Sequence, residues 1–181
     1  MNICVFCSSS DNLDSGCYTA AEALGSWIGE NAHTLVYGGS EKGLMKACSH
    51  AAKKAGAKIT AVVPPFVKES GLLNPDIDNM VFVNNLAERK AEMIRISDVF
   101  IALPGGIGTL DEVFSVAACN VVGECGKPTL LMNLEGIYDD LRNLLAKLEK
   151  ERLLRPENMK HIHFCNTLQE CTDMIRNKIL P

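Results

Sequence analysis

The residues best equipped for chemistry lie in one stretch of the chain. Arg89 and Lys90 come first, then the segment Pro104-Gly105-Gly106-Ile107-Gly108-Thr109, then Asp111 and Glu112. A glycine turn between a strand and a helix lets backbone N–H groups and the helix N-terminus approach a phosphate. Paired cations supply charge for the same anion, and a carboxylate at the helix start can act as a base or stabilise a developing cation. The chemistry this describes is the handling of a phosphorylated ligand beside a carboxylate.

Two familiar phosphate motifs are excluded. The turn lacks the Gly-Lys-Ser/Thr ending of a P-loop, and the residue three beyond Gly108 is Asp111, where a dinucleotide fingerprint has its third glycine. A mononucleotide or sugar phosphate fits better than ATP hydrolysis or NAD.

On a helical wheel of residues 86–97, Leu86, Met93 and Ile96 share an apolar arc, and Arg89 and Lys90 fall inside it. Two readings follow: snorkelling side chains, with Arg89 paired to Glu92, or cations held on the packing side because an anion meets them there. Glu112 is equally divided. Thr109-Leu110-Asp111-Glu112 has the form of a capping box, and the same carboxylate would stand at the edge of the glycine turn.

The elements that position these residues alternate along the chain. Strands are expected at 3–7, 34–37, 58–63, 80–83, 98–103, 128–132 and 161–164. Helices are expected at 18–30, from 44 to a glycine stop at Gly56, and at 86–97, 109–122, 137–150 and 168–179, with a long loop at 66–79. This pattern predicts one α/β domain over residues 1–181: a single-domain, Rossmann-like, doubly wound parallel sheet of about seven strands, with helices on both faces. Ligands of such sheets bind beyond the carboxyl ends of the strands, where the Ser- and Gly-rich loops after the first, second and fifth strands fall. The segment 113–122 is apolar nearly all round, which predicts packing on the sheet and against a second subunit; a thick core within one chain is the alternative.

Composition narrows the partners. The 181 residues carry a formal net charge of −4, which argues against nucleic acid or an anionic membrane surface as the main partner. The apolar runs are strand-sized and no signal pattern precedes the first strand, so a cytoplasmic protein is expected. The eight cysteines are expected to be reduced. Cys4 and Cys7 form a CxxC within a strand, which suits neither a thioredoxin-like site nor zinc without a second CxxC. His33 and His50 are isolated, and His161 and His163 would share one strand face without carboxylates, so no metal and no cofactor are expected.

These motifs resemble those of a known family. Arg89-Lys90 before a strand ending in Pro104-Gly105-Gly106-Ile107-Gly108-Thr109-Leu110-Asp111-Glu112 looks like the RK and PGGxGTxxE pair of the Lonely Guy family, the cytokinin riboside 5′-monophosphate phosphoribohydrolases, whose members are often mislabelled lysine decarboxylases. Cys7-Ser8-Ser9-Ser10, Val36-Tyr37-Gly38-Gly39 with Gly43-Leu44-Met45, and Val62-Val63-Pro64 also fit.

The resemblance implies hydrolysis of the N-glycosidic bond of AMP or an N6-substituted AMP to free base and ribose 5-phosphate. It places Arg89 and Glu112 in catalysis, and Ser8, Gly39, Lys90, Gly105, Gly106, Ile107, Gly108, Thr109 and Asp111 at the substrate. It also implies a homodimer with sites near the interface. The chain departs from the family at Leu86, Ile107, Ser40 and Ala118-Cys119, positions that bear on recognition of the base and the dimer partner. A non-catalytic carrier of a nucleotide-like or molybdenum cofactor is the alternative function, separated by the need for Arg89 with Glu112. A pyridoxal-phosphate decarboxylase is disfavoured, since no lysine stands in a Schiff-base context.

Overall fold

Short β-branched and aromatic runs form the seven strands of one sheet in the computed structural model, which describes residues 1–69 and 71–177. The strands are β1 (Asn2–Phe6), β2 (Thr34–Tyr37), β3 (Lys58–Val63), β4 (Asn79–Phe82), β5 (Val99–Ala102), β6 (Thr129–Met132) and β7 (Ile162–Cys165). Their order is β4-β3-β2-β1-β5-β6-β7 with every pairing parallel, so the expected doubly wound architecture is present.

The chain winds outward from β1 to β4 and then returns to place β5 beside β1. That reversal is the switch point at which such folds bind ligands. Val5 pairs with Ile101 and Phe6 with Ala102. Beyond them Leu103 N donates to Phe6 O at 2.9 Å and Ser8 N to Pro104 O at 3.2 Å. The serine loop and the glycine turn therefore leave the sheet side by side.

Alternation along the strands splits the core into two layers. Ile3, Val5, Leu35 and Ile101 face helices α1 (Ser15–Glu30), α2 (Gly43–Lys54) and, toward the β7 edge, α8 (Leu168–Arg176). Cys4, Phe6, Val36 and Phe100 face α4 (Leu86–Ile96) and α5 (Ile107–Val121). Full burial of such side chains stabilises by roughly 1.5–3 kcal/mol each, and the four residues of β5 are all buried, as expected for a strand covered on both faces. Cys4 and Cys7 belong to opposite layers, and Cys7 lies just past the end of β1, so the CxxC points to both sides of the sheet. Burial pushes both thiols well above their usual range, and all eight cysteines are free.

The remaining differences from expectation have local causes. Helix α1 begins at Ser15, three residues early, because the Asp14 carboxylate accepts from Gly16 N. The 66–79 loop contains the short helix α3 (Pro65–Glu69) and is tied down: Ser40 bridges Leu73, Glu41 N donates to Leu72 O, and buried Asn74 donates to Tyr37 Oη at 2.9 Å. After β6 the chain makes a 3-10 turn (Leu134–Gly136) before α6 (Asp139–Lys150), and α7 (Pro156–Met159) precedes β7. Strand β7 is shifted one residue from expectation, and the last helix is described to Arg176, the expected end at Ile179 lying outside the described residues. Among the described residues no helix is long and apolar enough to cross a membrane.

Candidate active site

Helix α4 carries the cations. Asn85 caps it by accepting from Glu88 N at 2.9 Å, and the Glu88 carboxylate reaches back to accept from Asn84 N at 2.9 Å. This reciprocal cap fixes where the helix starts and therefore which way Arg89 and Lys90 face. Arg89 turns in to Gly38 at the end of β2 and is 11% exposed, while Lys90, 25% exposed, turns toward Asp111 on α5, so both lie on the packing side of α4.

The Arg89 guanidinium lies against the α-carbon of Gly38, where any added Cβ would strike its Nη2. Its Nη1 is 3.3 Å from Glu112 Oε1, while its Nε is buried without a hydrogen-bond partner. The alternative partner, Glu92, is taken by Arg95, whose Nε and Nη2 both donate to it at 2.7 Å.

Helix α5 carries the carboxylate, and here the capping-box reading is corrected. The helix begins at Ile107 with Gly106 as its N-cap, so Thr109 is inside the first turn and caps nothing. Gly106 adopts φ −91°, ψ −149°, and Thr109 folds under the turn against Gly105, at a distance that leaves no room for a Cβ on that glycine. Glu112 is thus one turn deeper in the helix than a capping residue, and its side chain is only 7% exposed. Burial pushes its carboxyl up to about 7; Arg89 opposes that rise, Asp111 adds to it and Lys90 opposes it. A carboxyl poised near neutrality is what a general base or acid needs.

A cleft of about 490 Å³ opens above this pair at the carboxyl edge of the sheet. Of the residues singled out by sequence, Ser8, Arg89, Lys90, Gly106, Gly108, Thr109, Asp111 and Glu112 line it. Three others do not. Gly105 lies beneath Thr109, Ile107 is 84% exposed at the helix start, and Gly39 faces Leu73, Val63 and Ala61. Gly38, not Gly39, is the glycine under the guanidinium.

Lys90 is not a free cation, since its Nζ donates to both Asp111 oxygens, at 2.7 and 2.9 Å. Lys42 is the cation that sequence reasoning passed over. It lines the cleft directly before α2, with its Nζ 4.0 Å from Asp11. Met45, Phe66 and Leu86 give the cleft an apolar wall, of which the sequence singles out Leu86 and Met45 but not Phe66. A cation three residues after Gly39 was the available signal for Lys42; Phe66, in a separate segment of the chain, had none.

Among the described residues no group of three or more His, Cys, Asp or Glu side chains is placed to hold a metal. What the arrangement can do is hold a phosphate on the glycine turn and present a near-neutral carboxyl, backed by a guanidinium, to a bond a few ångströms away.

Residues 45–175 match the family described as "Possible lysine decarboxylase". A relative from Oryza sativa subsp. japonica, named "Probable cytokinin riboside 5′-monophosphate phosphoribohydrolase", is 37% identical over 160 residues, 88% of this chain and 64% of its own. A cytokinin riboside 5′-monophosphate phosphoribohydrolase of Arabidopsis thaliana is 35% identical over 168 residues, 93% of this chain and 78% of its own. Against three of the Oryza relatives the matched region spans 63–65% of their length. Among solved structures, the molybdenum cofactor binding protein of Rippkaea orientalis superposes with a TM-score of 0.74 at 22% identity, covering 98% of this chain and 96% of that one. The molybdenum cofactor carrier protein of Chlamydomonas reinhardtii gives 0.74 at 19% identity, covering 99% and 98%. At those identities the likeness is one of fold.

Proposed function

This chain belongs to the Lonely Guy family of cytokinin riboside 5′-monophosphate phosphoribohydrolases, and from that premise we propose that it hydrolyses the N-glycosidic bond of a purine nucleoside 5′-monophosphate. AMP or an N6-substituted AMP is the substrate, and free base and ribose 5-phosphate are the products. The observation that carries the reading is the buried Arg89–Glu112 pair beside a glycine turn: a passive carrier has no need of a carboxyl held near pH 7 at the floor of its cleft.

The 5′-phosphate binds at the turn, on the backbone N–H groups that open α5, with Lys42 and Lys90 at the rim. The bond between C1′ and the base nitrogen breaks, its electron pair leaving with the base, and positive charge develops on the ribosyl ring. Ionised Glu112 stabilises that charge and takes a proton from the attacking water, whose oxygen bonds to C1′. The departing base takes up a proton from solvent, and Glu112 then releases its own to solvent, so that one water is consumed and no net proton is left over. Arg89 favours the ionised form of Glu112 and fixes its direction. The apolar wall of Met45, Phe66 and Leu86 faces the base. The protein acts in the cytoplasm as a homodimer joined through the outer face of α5, requires no cofactor, and has neither nucleic acid nor membrane as a partner.

The deciding experiment is chromatography of AMP and an N6-substituted AMP after incubation with purified protein, beside the matching nucleosides. Base release from the monophosphates alone is expected. Tight binding across a panel of monophosphates without base release would favour the carrier.

A further inference from the structure

The cleft does not end at the glycine turn. A second hollow of about 730 Å³ adjoins it and shares Ser8, Ser10 and Gly106 with it. Its far walls are Leu13 and Asp14 before α1, Glu135 and Ile137 between β6 and α6, and Asn166 after β7. The order across the carboxyl edge is Arg89 with Glu112, then the turn, then this hollow. If the ribosyl bond lies at Glu112 and the phosphate on the turn, as the proposed function requires, the hollow lies beyond the phosphate. A monophosphate does not reach into it.

The chemistry of the second hollow differs from that of the first. Among the described residues no lysine or arginine lines it, while Asp14, Glu135 and Asn166 supply oxygen acceptors beside apolar Leu13 and Ile137. A further phosphate group would find no counter-charge there. Ribose hydroxyls suit carboxylate and amide acceptors, and a neutral heterocycle suits the apolar wall.

The hollow is also preformed. Buried Asn133 donates to Asp139 Oδ1 at 2.9 Å and to Asn166 Oδ1 at 3.2 Å, and accepts from Tyr138 N at 2.7 Å. Tyr138 Oη donates to Leu103 O at 2.7 Å, tying this segment to the strand that ends in the glycine turn. Within the segment Glu135 is held at φ +50°, ψ +27°, a left-handed conformation costly for a side chain with a Cβ.

The turn lacks the third glycine of a dinucleotide fingerprint, so the motif alone favours a mononucleotide; it is the adjoining hollow that changes that reading. We propose that the hollow receives the other nucleoside of a dinucleotide joined through its 5′-phosphates, with those phosphates on the glycine turn and the first nucleotide in the Arg89–Glu112 cleft. The site would thus take substituted as well as free 5′-phosphates.

The test is calorimetric titration of the full chain carrying Glu112→Gln, which keeps ligands intact, with AMP and with diadenosine 5′,5′-pyrophosphate. The dinucleotide is expected to bind about tenfold more tightly than AMP. Two further variants remove that advantage and leave AMP affinity unchanged: Ile137→Trp fills the hollow from an exposed position, and Glu135→Gly removes a carboxylate while relieving the left-handed strain. AMP binding in each variant also reports an intact fold. Equal affinity for the two ligands, or equal weakening of both by the variants, would overturn the proposal. If the dinucleotide binds in a hollow-dependent way and AMP does not bind, the hollow stands and the monophosphate reading falls; if neither binds, both fall.

Discussion

Arg89 Nη1 and Glu112 Oε1 stand 3.3 Å apart on neighbouring helices, and both side chains are nearly withdrawn from solvent. Burial and pairing pull the carboxyl in opposite directions, and burial wins, which places it at about 7. A folded-state value above the ordinary 4.5 means that the folded protein holds a proton the unfolded chain releases. Its contribution to stability is therefore fully present below about pH 4.5 and is lost as pH rises through about 7. The upper bound is on the order of 3 kcal/mol. Denaturant unfolding from pH 4.5 to 8 is expected to show the stability of the wild type falling relative to Glu112→Gln; parallel curves would mean that Glu112 does not titrate there.

The same proton sets the rate. On the proposed reading Glu112 must be ionised to accept a proton from water, so log kcat/KM, which reports the free enzyme, should rise with unit slope and level off above about pH 7. Glu112→Gln should abolish turnover, a loss of roughly 10²–10⁴-fold for removal of a general base. Retained turnover in that variant, or a profile flat from pH 5 to 8, removes Glu112 from the chemistry.

Gly38 tests whether the guanidinium must be where it is. A methyl group there would overlap Arg89 Nη2, and nothing forces Gly38 itself into a left-handed conformation. Gly38→Ala should therefore spare the fold, displace Arg89 and lower kcat/KM by up to about 10²-fold, the scale of an ångström's misplacement. Gly39→Ala is the contrasting variant: its φ of +85° makes alanine strained, so the damage should appear in thermal stability.

What was legible in the sequence divides along physical lines. The parallel sheet, its two helical layers and the packing-side placement of Arg89 and Lys90 all follow from hydrophobic periodicity, which a single chain displays. The start of α5 did not follow. Thr109 and Glu112 have the spacing of a capping box, but Gly105 lacks a Cβ, the threonine packs into that space, and Gly106 takes the cap position. The Lys90–Asp111 pair joins two helices across 21 positions, and no periodicity within either helix encodes it. Phe66 reaches the cleft from a segment that is tied to the turn after β2 through Ser40 and Leu73, a long-range contact that no local pattern displays.

Lys42 and Lys90 offer a separation of roles at the cleft rim. Lys90 is neutralised by Asp111 at 2.7 and 2.9 Å, whereas Lys42 Nζ stands 4.0 Å from Asp11. If both serve the phosphate, Lys42→Ala should raise KM for AMP with kcat nearly unchanged, the signature of lost ground-state binding. Asp111→Asn should free Lys90 and lower KM. Initial-rate kinetics at two salt concentrations checks this, since an exposed charge acting on a phosphate should weaken as salt rises.

The outer face of α5 carries the last prediction. Val113, Val116 and Ala117 pack on the sheet, while Phe114 is 41% exposed, Val121 51% and Val122 67%, with Ala118 between them. A core thickened within one chain would have covered these residues. An exposed apolar stripe of this kind marks an interaction site, and a second copy can supply the same stripe about a two-fold axis. Sedimentation velocity should find the wild type at twice the mass of one chain and Phe114→Glu at the mass of one chain. Because Phe114 faces away from the core, the substitution should leave the monomer's unfolding free energy, from urea titration, within about 0.5 kcal/mol of its starting value. A wild type that sediments as a single chain at micromolar concentration would remove the dimer, and with it the reason for the apolar face.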